Sequence, residues 1–142
     1  MKKLIISLFM VCTVLTIVAC GAPGSALERN KWSLISYGDQ NNHEQVLDGT
    51  EITATFDKGK GEVSGSGGCN TYFASYEING KNLSISNLAW TEMACLLPAG
   101  VMEQEQEFLS LLADVESFKI DDTSLIITCS NGRQLYFKIV SQ

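Results

Sequence analysis

Two Asn-Gly steps, Asn79-Gly80 and Asn131-Gly132, each stand between runs whose apolar residues recur at every second position. That pairing of period and turn constrains the chain more than any other feature, because alternation gives one dry and one wet face while Asn-Gly accepts the positive φ of a type I′ turn. Tyr72, Ala74, Tyr76 and Ile78 run into the first turn, and Leu83, Ile85 and Leu88 return from it. Leu125 and Ile127 run into the second, and Leu135, Phe137 and Ile139 return. Ile52, Ala54 and Phe56 show the same period before the turn-rich stretch Asp57-Lys58-Gly59-Lys60-Gly61, which leads into Glu62-Val63-Ser64. With Trp32–Tyr37 and Ser117–Asp121 the pattern predicts about eight short strands.

One segment departs from period two. In Val101–Val115, residues Phe108, Leu111, Leu112 and Val115 fall on a helical stripe, and Pro98-Ala99-Gly100 precedes them. Glu103, Glu105 and Glu107 sit toward the positive end of that helix, and the Glu103-Gln104-Glu105-Gln106-Glu107 run reads as a solvated face near the helix start in preference to a cation site. The fold class expected is therefore mainly β: a compact antiparallel, barrel-like sheet with one packed α-helix closing an end or a face.

The beginning of the chain reads as a leader, not as fold. Met1-Lys2-Lys3 is a positive n-region, and Leu4 to Val18 carries no charge. The run is short for a membrane span and suits the h-region of a secretory signal. Ile17-Val18-Ala19-Cys20 matches a bacterial lipobox, so residues 1–19 are expected to be a lipoprotein signal peptide and Cys20 the acylated first residue of the mature chain. Two or more acyl chains give the stable membrane attachment that one does not. Residues 20–29 are small and polar enough to predict a flexible tether with a reach of roughly 18 Å. The folded domain is then 30–142. The whole sequence carries a net charge of −6, from 10 basic and 16 acidic residues, and losing Lys2 and Lys3 takes the mature chain to −8. An acidic surface argues against nucleic acid as a partner.

Of the cysteines that remain, Cys69, Cys95 and Cys129 permit three single pairings in an oxidising compartment. Cys129 shares a strand face with Leu125 and Ile127 and reads as a core thiol. Cys69 and Cys95 lie in loop-like contexts, and joining them closes a loop worth about 3.5 kcal/mol in the chain-entropy picture. That bridge is the favoured reading, with Cys129 as an alternative partner. No metal is expected: there is no CxxC, and the lone His43 lies in a polar stretch from Asp39 to Gln45 that reads as a solvated loop.

Taken in order, Trp32…Leu34, Val63-Ser64-Gly65-Ser66-Gly67-Gly68-Cys69-Asn70-Thr71-Tyr72, Leu83…Ile85, Thr91-Glu92-Met93-Ala94-Cys95, Glu107-Phe108-Leu109…Leu112 and Leu125…Gly132…Leu135…Phe137 resemble the META domain, the HslJ-like group of bacterial envelope proteins. The resemblance runs from about residue 30 to 138. It rests on G-G-C-N-x-Y and T-E-M-A-C together, so that Gly67, Gly68, Asn70, Tyr72, Thr91 and Met93 are the motif positions. It implies a compact antiparallel β-structure with a helix, and envelope, stress-response or antibiotic-tolerance roles, or a part in secretion. It implies no catalytic mechanism, and Cys129 falls outside its pattern.

The residues themselves do not point to catalysis either. Gly65-Ser66-Gly67-Gly68 lacks the G-K-[ST] of a phosphate loop and leads into a strand, and neither Ser64 nor Ser66 has the glycine flanks of a nucleophile elbow. The glycines read instead as close backbone approach beside the bridge, with Asn70 bonding local backbone and Trp90 as core or cap in preference to a ligand platform. Two non-enzymatic expectations follow, neither needing a cofactor. One is a lipid-anchored envelope module binding a protein or small ligand, for which a pocket between helix 101–115 and the sheet would speak. The other is a protease-inhibitor-like or secretion-accessory domain docking through an exposed loop at 38–47 or 96–101, the latter carrying Leu96, Leu97 and Pro98.

Overall fold

The alternating runs become strands of one closed sheet. The computed structural model describes residues 23–140, so the lipobox and Cys20 lie outside it. A short helix, α1 (Pro23–Arg29), precedes β1 (Lys31–Asp39), β2 (Asn42–Gln45), β3 (Thr53–Asp57), β4 (Glu62–Ser66), β5 (Thr71–Asn79) and β6 (Asn82–Trp90). Helix α2 (Val101–Ala113) then leads into β7 (Val115–Asp121), β8 (Ser124–Cys129) and β9 (Gln134–Ile139). All pairings are antiparallel, and β1 pairs with β9 from Trp32↔Ile139 to Gly38↔Gln134, which closes β1, β3–β9 into an eight-stranded barrel. Strand β2 is the extra one, paired with the second half of β1 beside β3.

Both Asn-Gly steps turn the chain, but not as type I′ turns on both residues. Asn79 pairs with Asn82, so the first link is Gly80-Lys81, and only Gly80 takes a positive φ, of 65°. At the second, Gly132 N–H donates to Cys129 O (2.9 Å) and Cys129 N–H to Arg133 O (2.8 Å), with Gly132 at φ 83°. This is the three-residue loop that ends in a left-handed residue.

The core is the inner face of these strands. Trp32, Leu34, Ile52, Ala54, Phe56, Val63, Tyr72, Leu83, Leu125, Ile127, Leu135 and Phe137 are all buried in it. Phe108, Leu111 and Leu112 of α2 enter the same core, as the helical stripe predicts, while Val115 already belongs to β7. The expectation of a tether over 20–29 needs correction from Pro23 onward. Leu27 is fully buried, Trp32 Nε1 donates to Leu27 O (3.0 Å), and Tyr76 OH donates to Glu28 Oε1 (2.9 Å). One large apolar residue among small ones is a weak periodic signal, yet it suffices to seat a seven-residue helix over a barrel end.

The wall of the barrel is thin between β6 and β7. Their register holds a single residue pair, Asn82↔Ser117. Because α2 delivers the chain to β7 only at the level where β6 begins, the rest of β6 has α2 as its neighbour in place of a strand.

Candidate functional site

The two sequence motifs meet where β4 ends, β5 begins and β6 ends. The glycine loop folds tightly: Gly67 N–H donates to Asn70 O (2.7 Å), and Gly68 takes φ 113°. A side chain at Gly67 would place its Cβ 2.7 Å from Glu105 Oε1, so this position needs glycine for close approach.

Asn70, 3% exposed, uses every polar atom of its side chain. Its Oδ1 accepts from Thr91 Oγ1 (2.8 Å) and Met93 N–H (2.7 Å), while its Nδ2 donates to Met93 O (3.1 Å) and Glu105 Oε2 (2.6 Å). Glu105 Oε1 in turn accepts from the backbone N–H groups of Asn70 (2.5 Å) and Cys69 (3.1 Å). The Cys69–Cys95 disulfide joins the same two segments covalently, with Cα atoms 5.9 Å apart. Tyr72, fully buried, donates to Thr53 O (2.8 Å), and burial raises its phenol pKa well above the usual value. The motif residues thus build a latch among the glycine loop, the Thr91–Cys95 segment and α2. Asn70 bonds across the fold, not locally as expected from sequence.

Two residues of α2 correct the reading of the Glu-Gln run as a solvated face. Glu105 and Gln104 are each 3% exposed, not solvated. Gln104 Oε1 accepts from Leu47 N–H (2.7 Å) and Nε2 donates to Thr50 Oγ1 (3.0 Å), which ties α2 to the β2–β3 connection. The signal was in the spacing: both lie three or four residues from Val101 and from Phe108, on the stripe that faces the core.

Beside the latch is an open groove of about 760 Å³. Leu88 and Trp90 of β6 form one wall, Leu109 and Met102 of α2 the other, and Met93 the end. Trp90 lies opposite Tyr72 and so on the inward face, yet it is 47% exposed, because no strand follows β6 at that level. The core or cap position expected for Trp90 is thereby corrected to a groove wall. Glu92 and Glu103 stand on the rim, and no Lys or Arg lines the groove. Immediately after it, Leu96 and Leu97 are exposed at 88% and 84%.

The remaining candidates lie elsewhere. His43 is on strand β2, half-buried against the Tyr136 ring at 4.3 Å between centroids, and not in a solvated loop. The 38–47 stretch is accordingly a hairpin. Cys129 is free and buried, its thiol donating to Leu111 O (3.3 Å), and burial pushes its pKa up to about 11. Arg133 pairs with Glu107 across α2 and β9's approach. Among the described residues no three His, Cys, Asp or Glu side chains gather as a metal would require, and no helix is long and apolar enough to cross a membrane.

The sequence matches the META domain family over residues 25–141. No curated protein matches it. Among solved structures, it is similar to a protein from Burkholderia xenovorans determined by NMR, with 27% identity over 85% of this chain and 88% of that one and a TM-score of 0.68. It is also similar to a DUF4847 family protein from Bacteroides vulgatus, with 17% identity over 83% and 97% of the two chains and a TM-score of 0.61, a likeness of fold alone.

Proposed function

The chain belongs to the META domain family, and on that premise we propose that it is a lipid-anchored, non-catalytic module of the cell envelope that supports envelope integrity under stress by holding an apolar ligand or protein segment in the groove between β6 and α2. The observation that carries this reading is Trp90: a tryptophan on the inward face of a sheet, left 47% exposed in a groove of about 760 Å³ with Leu88, Met93, Met102 and Leu109. Concave, mostly apolar sites with a few polar groups are where ligands bind.

The lipobox at Ile17–Cys20 and the Cys69–Cys95 bridge both favour an exported, membrane-attached protein facing the periplasmic or extracellular side. The non-catalytic reading is supported by how the polar groups are used. Cys69 is in a disulfide, and the carboxylate of Glu105 and the amide of Asn70 are consumed by the latch. Exposed Leu96 and Leu97 favour a second reading, in which the 96–101 loop docks into a partner as an inhibitor-like or secretion-accessory element.

Two measurements test the proposal. Intact mass of the protein from its native membrane should show a chain starting at acylated Cys20, with two thiols released only by reductant. The fluorescence of the uncharged probe N-phenylnaphthylamine should rise with the wild-type protein and lose most of that rise in Trp90→Ala. A non-acylated chain overturns the anchor, and an unchanged signal in the variant overturns the groove. If Leu96→Asp with Leu97→Asp abolishes partner capture while Trp90→Ala does not, the docking-loop reading replaces the groove.

A further inference from the structure

The groove has a wall that a small apolar molecule would leave unsatisfied. Tyr76 N–H donates to Gly61 O (2.9 Å), across to β4, so the Tyr76↔Ile85 pair is a non-hydrogen-bonded one and Ile85 turns its own N–H and C=O away from β5. Thr91 N–H donates to Thr71 O (3.0 Å), which fixes Trp90, opposite Tyr72, in the same outward sense. Beyond Asn82 no strand among the described residues pairs with this edge. Strand β6, Asn82-Leu83-Ser84-Ile85-Ser86-Asn87-Leu88-Ala89-Trp90, carries no charge and no proline to guard this edge, and its one interruption is the bulge at Asn87 (φ 54°), across which Ile85 and Trp90 keep the same outward sense although they are five residues apart.

Resting on the groove reading above, we propose that the natural occupant is an extended peptide segment with alternating apolar residues and at least one basic side chain, added as an antiparallel or parallel strand to the free edge of β6. A peptide strand supplies the N–H and C=O partners that Trp90 lacks and, on passing the Asn87 bulge, those of Ile85 beyond the groove, while its alternate side chains enter the groove against Leu88, Trp90 and Leu109. Glu92 and Glu103 on a rim without Lys or Arg select a basic residue over an acidic one. The edge distinguishes a peptide from a lipid or other small apolar molecule, which would fill the groove and leave the backbone of β6 bare.

The test uses the full-length protein in detergent and a capped octapeptide of alternating valine and serine with a lysine at each end. Binding should slow amide hydrogen exchange at Ile85 and Trp90 by tenfold or more. An analogue N-methylated at every second amide, on the edge that would face β6, should bind at least tenfold more weakly. Replacing both Glu92 and Glu103 by Lys should weaken the lysine peptide at least threefold and leave a peptide with serine ends unaffected. Equal binding of the methylated peptide, or no protection at Ile85, overturns strand addition while leaving the groove intact. Failure of the peptide to bind, with N-phenylnaphthylamine fluorescence still sensitive to Trp90→Ala, does the same. If neither probe depends on Trp90, the groove reading itself falls, and strand addition with it.

Discussion

Glu105 holds three donors at once: the Asn70 and Cys69 backbone N–H groups and the Asn70 amide. Removing a buried acceptor leaves each donor without water or partner, a cost of about 1–3 kcal/mol per group before relaxation. Glu105→Ala should therefore lose about 3 kcal/mol in urea unfolding. Glu105→Gln should lose less, about 1–2 kcal/mol, because one oxygen remains although its new NH₂ faces a donor. A loss below about 0.5 kcal/mol in the alanine variant would mean the latch adds no stability. Cys129 makes a second prediction, with a sign. Its folded pKa of about 11 lies above the ordinary thiol value, since burial disfavours the thiolate. The unfolded chain therefore releases this proton first, and stability must fall as pH rises from about 9 to 11. Burial raises the phenols of Tyr37, Tyr72 and Tyr76 as well, adding to the fall at the upper end of that range. Cys129→Ala should flatten the slope between pH 9 and 10, measured by rapid urea titrations; an unchanged slope would assign the effect to the tyrosines.

At the scale of elements, α1 behaves as part of the domain and not as spacer. Leu27 is fully buried among the barrel residues, so Leu27→Ala should cost about 2–4 kcal/mol, read as a lowered denaturation midpoint at unchanged slope. A cost near zero would restore the flexible-tether reading. Why this element escaped the sequence is instructive beside those that did not. The β5–β6 and β8–β9 hairpins were legible because each apolar residue repeats at the strand period and the turn residues mark the reversal. Helix α2 was legible from Phe108, Leu111 and Leu112. A seven-residue helix with a single apolar anchor offers no period to read. Trp90 shows the other limit: its inward phase is encoded by alternation through the bulge at Asn87 (φ 54°), but whether a strand covers it depends on where β7 starts. Glu105 and Gln104 are polar, which reads as solvated, but their place on the buried stripe of α2 decides their burial. The bridge, by contrast, followed from loop context and from the thiol of Cys129 lying on a core face.

For the whole molecule, the barrel has two unlike ends. Helix α1 sits where β5 finishes, with Glu28 bonded to Tyr76 and paired with Lys58, whereas Trp90 and Met93 lie where β5 begins. Strand β5, Thr71–Asn79, spans about 26 Å between those ends at roughly 3.3 Å per residue. If Cys20 carries the acyl chains, the three residues from it to Pro23 span at most about 11 Å, so α1 must stand next to the bilayer. The end of the groove marked by Trp90 and Met93 then faces away from the lipid, where an extended partner has room to enter. Net negative charge works in the same direction, since an acidic domain is not drawn onto anionic headgroups. The two tryptophans make this measurable: Trp32 is fully buried, while Trp90 is 47% exposed. In vesicles holding the acylated protein, acrylamide in the aqueous phase should quench the Trp90 component of the fluorescence, and brominated acyl chains should leave it unchanged. Quenching of Trp90 by the brominated lipid would turn the groove toward the membrane and make lipid, not peptide, its natural occupant.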